Sequence, residues 1–176
     1  MFTLVIGGSA SGKSEYAESL ILASEHLPRY YIATMQPFDE ECHTRIARHR
    51  RMRARKQFET IECYTGLSGL TLPQRGDALL ECLGNLAANE LYSPAGAGPQ
   101  TLEAIVGGVD ALLPQCIDLV VVGNEVCADG GGYSEETEAY RRLLAEVNRA
   151  LAARADRVCE VVCGLPYYYK DRRRAV

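Results

Sequence analysis

Leu4-Val5-Ile6-Gly7-Gly8-Ser9-Ala10-Ser11-Gly12-Lys13-Ser14 is the stretch that decides the fold. An apolar run of strand length meets a segment that fits G-x-x-x-x-G-K-[ST] completely. An amphipathic stretch then follows, with Tyr16, Ala17, Leu20, Ile21 and Ala23 at helical spacing. Small residues let the backbone wrap a triphosphate, and successive N–H groups point inward as an anion nest. The start of the following helix adds partial positive charge. In this reading Gly7, Gly8, Ser9, Ala10, Ser11, Gly12, Lys13 and Ser14 bind nucleotide. Lys13 reaches the β- and γ-phosphates and acts as a catalytic cation, and Ser14 offers its hydroxyl to Mg²⁺. The loop alone does not choose among kinase, nucleotidyltransferase, motor and switch.

Outward from the loop, apolar runs alternate with helical patterns. Strands are expected over Thr3–Ile6, Tyr30–Thr34, Phe58–Glu62, Ala78–Cys82, Ile117–Val122 and Arg157–Val162. Helices are expected over Ser14–Glu25, Asp39–Lys56, Leu83–Leu91, Thr101–Leu113 and Glu135–Arg154. Tyr140, Leu143, Leu144, Val147 and Leu151 form one stripe on the last of these. Such alternation implies an α/β fold: a mostly parallel sheet with helices on both faces. The Tyr167–Tyr169 and Arg172–Arg174 groups read as a partly exposed C-terminal end. Glu81 closes the apolar run Ala78-Leu79-Leu80, so it falls at the carboxyl end of a buried strand, where such sheets bind ligands. That position suits a Mg²⁺-shell or ligand-orienting carboxylate. Asp118 and Glu125, flanking another apolar strand, are its rivals.

The chain has 176 residues, 47% hydrophobic and 24% charged, with 19 Lys plus Arg, 23 Asp plus Glu and a net charge of -4. This is globular composition, expected to form a single P-loop nucleotide-binding domain over residues 1–176. The overall charge argues against a cationic nucleic-acid binder. No apolar run reaches the ~18 residues of a membrane span, and the N-terminus lacks a signal-peptide pattern. A cytoplasmic protein is expected. The 7 cysteines form no C-x-x-C pair and read as buried or partly buried reduced thiols. Cys159 and Cys163, four apart in an apolar run, would share one face of a strand.

The average charge hides a local concentration. Seven of the twelve residues from Arg45 to Lys56 are cationic, and His49 stands among them. On a helix, Arg45, His49 and Arg53 share one face. Neighbouring guanidinium groups disfavour the imidazolium, so the imidazole would be neutral and nucleophilic. The same cations would stabilise charge on a transferring phosphoryl group. The competing readings are a solvated basic face and an RNA-binding patch, though the interleaved aromatics of a stacking surface are missing.

Together these motifs resemble the bifunctional adenosylcobinamide kinase / adenosylcobinamide-phosphate guanylyltransferase family of cobalamin biosynthesis. The resemblance spans nearly the whole chain. It rests on the phosphate loop, Tyr31-Ile32-Ala33-Thr34, Asp39-Glu40-Glu41, Arg45-Ile46-Ala47-Arg48-His49-Arg50 and Leu79-Leu80-Glu81-Cys82-Leu83. It continues through Asn85-Leu86, Val121-Val122-Gly123-Asn124-Glu125-Val126, Asn148, Leu151-Ala152, Ala155-Asp156 and Gly164-Leu165-Pro166. It implies a P-loop NTPase with a RecA-like sheet containing one antiparallel strand, assembled as a homo-oligomeric trimer. It also implies two reactions at one nucleotide site. ATP or GTP phosphorylates the alcohol of adenosylcobinamide, and GTP then guanylylates His49, from which the guanylyl group passes to adenosylcobinamide phosphate. The nucleotide-binding positions it carries over are the phosphate loop, Ala33, Thr34, Met35, Arg50, Arg51, Met52, Arg53, Glu62 and Glu81. Mg²⁺ would lie on Ser14 and Glu81. Where the family has Gly-x-Gly-Ile-Val-Pro after Asn-Glu-Val, this chain has Cys127 to Ser134. The alternatives are a P-loop small-molecule kinase without guanylyl transfer, and a non-enzymatic nucleotide-binding partner protein.

Overall fold

The computed structural model describes residues 1–37, 55–126 and 132–172. Seven strands form one sheet. They are β1 (Phe2–Ile6), β2 (Arg29–Ala33), β3 (Phe58–Glu62), β4 (Gly76–Leu80), β5 (Cys116–Val122), β6 (Arg157–Val162) and β7 (Leu165–Asp171). The spatial order is β3-β2-β4-β5-β1-β6-β7. Every neighbouring pair is parallel except β6 and β7. Parallel neighbours put all their carboxyl ends on one edge, so the loop after β1, the residue after β4 and the turn after β5 emerge together.

Among the described residues, four helices cover the sheet: α1 (Lys13–Ala23), α2 (Leu83–Tyr92), α3 (Thr101–Leu112) and α4 (Glu135–Arg154). On one face Ala17 and Ile21 of α1 pack with Val5, Leu79, Val120, Val122 and Val161. On the other, Leu86, Ile105, Val109, Leu144, Val147 and Leu151 pack with Leu4, Ile32, Leu80 and Val121. The central strands read as continuous apolar runs because both of their faces are covered. Helix α4 has the bounds that its stripe predicts. The Ser134 hydroxyl accepts the Thr137 N–H at 3.2 Å. Glu135, Glu136 and Glu138 sit in its first turn and Arg154 in its last, which complements the helix dipole. The expected helix over Asp39–Lys56 lies almost wholly outside the described residues.

One sequence expectation is made specific and two are corrected. The tyrosine run is partly exposed, as expected, with Tyr167 and Tyr169 open and Tyr168 half-buried. It forms β7, an antiparallel strand paired with β6 and not among the strands expected from the apolar runs. Cys163 does not share a strand face with Cys159. The strand stops at Val162, and Cys163 and Gly164 form a two-residue turn with φ of 51° and 78°. Asp118 lies toward the amino end of β5, paired with the N-terminal ammonium at 2.9 Å, and so stands at the edge opposite the phosphate loop. Beside it the buried Asp77 carboxylate accepts the Asp118 N–H at 3.0 Å and the Ser24 hydroxyl. Among the described residues, no helix is long and apolar enough to cross a membrane.

Cys63, Cys116 and Cys159 are buried, Cys82 is half-buried and Cys163 is exposed, and all five are free thiols. Burial, reinforced by the Asp77 charge, pushes the Cys116 thiol up to about 12. Burial pushes Cys159 up to about 11, against a lowering influence from Arg157. In the unfolded chain such thiols ionise near pH 8.5. Above that pH the unfolded state has lost protons that the native state keeps, so stability falls as pH rises. The full contribution is present below about pH 8.5, and each thiol removes about 1.4 kcal/mol per pH unit up to its folded value. Urea unfolding at pH 8, 9.5 and 10.5 should show this decline, and a Cys116→Ala, Cys159→Ala double variant should show a flatter one.

Candidate nucleotide site

The phosphate loop is built by backbone contacts. Gly12 has φ of 90° and hands directly into α1, whose Tyr16 N–H donates to the Gly12 carbonyl at 3.0 Å. A side chain at Gly12 would come within 3.0 Å of the Gly164 Cα in the β6–β7 turn. From the same turn the Gly164 N–H donates to the Ser11 carbonyl at 2.8 Å. On the other flank the Glu125 N–H, just beyond β5, donates to the Gly7 carbonyl at 3.0 Å. The loop is thus held between two neighbouring strands. Lys13 is buried, and its ammonium donates to the Gly8 carbonyl at 2.9 Å, folded back over the loop. The Ser11 hydroxyl is buried with no hydrogen-bond partner. An orphaned polar atom inside an anion nest suits a site that takes a polar ligand.

The carboxyl ends of β2 and β4 are tied together beside the loop. The Thr34 N–H donates to a Glu81 carboxylate oxygen at 3.3 Å, and the Thr34 hydroxyl donates to the Cys82 carbonyl at 3.1 Å. The Asn89 amide of α2 donates to the carbonyls of Thr34 and Tyr64, at 2.9 and 3.0 Å. Cys82 caps α2, accepting from the Asn85 N–H. Burial raises the Cys82 thiol, the Asn85 and Gly84 N–H groups lower it, and Glu81 and Lys13 pull it in opposite directions. Asn124, at the end of β5, accepts from the Cys82 thiol at 3.2 Å and the Gly84 N–H at 3.3 Å. Asn148 of α4 donates to the Asn124 carbonyl at 3.1 Å.

Gly7–Ser14, Ala33, Thr34, Met35, Glu62 and Glu81 all lie at the carboxyl edge of the sheet or just beyond it, but not at equal distance from the phosphates. Glu81 follows β4, two strands from β1, or about 10 Å at the usual strand spacing. Ala33 and Glu62 end β2 and β3, which are three and four strands away. Glu62, about 19 Å off by the same spacing, is exposed and accepts the Tyr64 hydroxyl at 3.0 Å. His49, Arg50, Arg51, Met52 and Arg53 lie outside the described residues. The support from Asn89 is not announced by any motif, and Gly164, which the family resemblance includes, gives no sign in the sequence that it backs the phosphate loop. Ser14 and Glu81 are hard oxygen donors of the kind Mg²⁺ takes, and the adjoining anion nest fits a metal-triphosphate complex.

A family model for cobinamide kinase / cobinamide phosphate guanyltransferase matches residues 3–168. The chain belongs to this family. The "Bifunctional adenosylcobalamin biosynthesis protein CobU" of Escherichia coli K12 is 33% identical over 179 residues, covering 94% of this chain and 97% of the relative. The protein of the same name from Salmonella typhimurium LT2 is 34% identical with the same coverage. The "Bifunctional adenosylcobalamin biosynthesis protein CobP" of Pseudomonas aeruginosa is 35% identical, covering 94% of this chain and 95% of the relative. Among solved structures, an ATPase domain superposes with a TM-score of 0.53 at 9% identity, over 97% of this chain and 77% of that one. The last likeness concerns the fold alone, which is the expected RecA-like α/β arrangement. The expected enzyme class, kinase and guanylyltransferase in cobalamin biosynthesis, is that of the family.

Gly12→Ala tests the seating of the loop. Its φ of 90° and its approach to Gly164 should cost about 1–3 kcal/mol of stability. Calorimetric titration with GTP should show a loss of affinity greater than that stability change accounts for, while circular dichroism keeps the wild-type signature.

Proposed function

We propose that this chain phosphorylates adenosylcobinamide and then converts the product to adenosylcobinamide-GDP. Both reactions use one nucleotide site in a single P-loop domain spanning residues 1–176. The observation that carries this reading is the complete phosphate loop at the end of β1, sharing an edge with Glu81, in a chain matched by the family model over residues 3–168.

In the first reaction the loop N–H groups and Lys13 hold the β- and γ-phosphates of ATP or GTP. Positioning and charge stabilisation supply most of the catalysis in phosphoryl transfer. Lys13 is folded onto the Gly8 carbonyl at 2.9 Å, and exchanging that contact for a phosphate oxygen keeps the ammonium partnered throughout. Mg²⁺, held by Ser14 and Glu81, would neutralise charge on the triphosphate. Thr34 orients Glu81 through its N–H.

In the second reaction the neutral imidazole of His49 attacks the α-phosphorus of GTP. A P–N bond forms, the bond to the bridging oxygen breaks and pyrophosphate leaves. The hydroxyl-derived phosphate of the corrinoid then displaces the imidazole. Arg50, Arg51 and Arg53, beside His49 in sequence, balance the charge. Met52 belongs to the same nucleotide-binding stretch, with Ala33, Thr34, Met35 and Glu62 lining the rest of the edge. The protein works in the cytoplasm as a homo-oligomer, a trimer on the family pattern, without nucleic acid or a membrane span.

The test uses GTP labelled at the α-phosphate, with the protein denatured before analysis. Wild-type protein should retain an acid-labile, alkali-stable label, and His49→Ala should retain none while still transferring the γ-phosphate to adenosylcobinamide. Absence of a covalent label where GTP binds would reduce the activity to that of a kinase.

A further inference from the structure

The β6–β7 hairpin supports the phosphate loop with its tip and leaves one broad face bare. Alternation along paired strands fixes the faces. Cys159 pairs with Tyr168, and this side packs against α1, where the Tyr168 and Tyr16 hydroxyls meet. The opposite side carries Val162 opposite Leu165 and Glu160 opposite Tyr167. Tyr169, at the bulge in the pairing, joins that side, since its hydroxyl donates to the Glu160 carboxylate at 2.6 Å. Helix α4 covers this side only at its far end, where Lys170 reaches the Ala152 and Ala153 carbonyls. Toward the nucleotide, Val162, Leu165, Tyr167 and Tyr169 are 55%, 73%, 65% and 62% exposed. These are four of the seven large exposed apolar side chains among the described residues.

The patch is ordered as well as exposed. Tyr169 is pinned by Glu160, and Tyr167 meets it edge-on with ring centroids 5.1 Å apart at 75°. Fixed rings lose little freedom when a ligand covers them. From the turn at Gly164, which touches Ser11, the platform runs about 16 Å along β7 to Tyr169. That is wider than a purine.

The geometry points to this face as the docking platform for the corrinoid macrocycle of the substrate, with Val162, Leu165, Tyr167 and Tyr169 as its apolar floor. The inference rests on the adenosylcobinamide reading above. The acceptor alcohol is carried on an arm of a large, flat, amide-fringed ring. It must reach the γ-phosphate over the phosphate loop while the ring finds an apolar surface alongside. Among the described residues, the hairpin both touches the loop and offers such a surface. Tyrosine hydroxyls and Glu160 border it with partners for peripheral amides.

The experiment uses the full chain and the double variant Tyr167→Ser, Tyr169→Ser. GTP affinity, dicyanocobinamide binding by equilibrium dialysis, KM and kcat for adenosylcobinamide, and sedimentation velocity are measured together. Expected is a rise of about tenfold or more in corrinoid KM and dissociation constant, with GTP affinity and sedimentation unchanged. Tyr167→Phe should stay within about twofold, because it keeps the ring. If the double variant misfolds, hydrogen exchange on wild-type protein decides the matter, with slowed exchange over residues 162–170 expected when dicyanocobinamide is added. An unchanged corrinoid KM overturns the inference. A weakened GTP affinity would reassign the platform to the base, and a change in sedimentation would reassign it to a second copy of the chain. Either result would also overturn it. A wild-type protein that neither phosphorylates adenosylcobinamide nor forms the guanylyl-enzyme fails the functional reading itself, whatever the variants do.

Discussion

Much of the site depends on one close approach, that of Gly12 to Gly164. Two backbones meet there so closely that a side chain on Gly12 would press on the Gly164 Cα, and the Gly164 N–H closes the gap by donating to the Ser11 carbonyl. Because the loop is clamped on this side by β6–β7 and on the other by the chain leaving β5, its N–H groups are oriented before any ligand arrives. Pre-orientation of dipoles is what makes an anion nest effective, since little reorganisation remains for the moment of binding. The constraint also explains the topology. A parallel β6 beside β1 brings the antiparallel turn to the same edge as the phosphate loop, and a turn of two residues keeps it there.

The carboxyl edge is therefore a continuous construction. Thr34 joins β2 to β4 through Glu81 and the Cys82 carbonyl. Asn89 joins the chain leaving β2 and β3 to α2, and Asn124 with Asn148 joins β5 to α4. Each link is a side-chain amide or hydroxyl bonding to backbone, or backbone bonding to a carboxylate. Such links fix position without spending the charges needed for chemistry. The opposite edge uses the same means for a different end: Asp77, Ser24, His26 and Asp118 satisfy one another and hold the amino ends of β4 and β5.

What could be read from the sequence follows from which residues had local reasons. The phosphate loop was legible because the backbone conformation admits only small residues and the chemistry demands Lys13-Ser14. Helix α4 was legible down to its bounds because Ser134 and three glutamates mark its start. The strand β7 was not, since Pro166 and three consecutive tyrosines show no two-residue alternation, and the bulge at Tyr169 breaks what alternation there is. Cys163 was misplaced because a non-glycine residue at φ of 51° leaves no mark in the sequence. Asp118 resembled Glu81 for a deeper reason. An apolar run with a carboxylate near one end does not say which end of the sheet it faces, and only long-range pairing decides that.

The last strand has another consequence. β7 is an edge of the sheet, where bare backbone invites further strands and hence fibrous association. Pro166 removes one donor from that edge, the bulge at Tyr169 breaks the regular spacing of the rest, and Lys170 adds a charge. The hairpin can thus display an apolar face without offering a template for strand addition. A surface sticky in one direction is kept inert in the other, and this separation lets the tyrosine face stay open without presenting a bare strand edge.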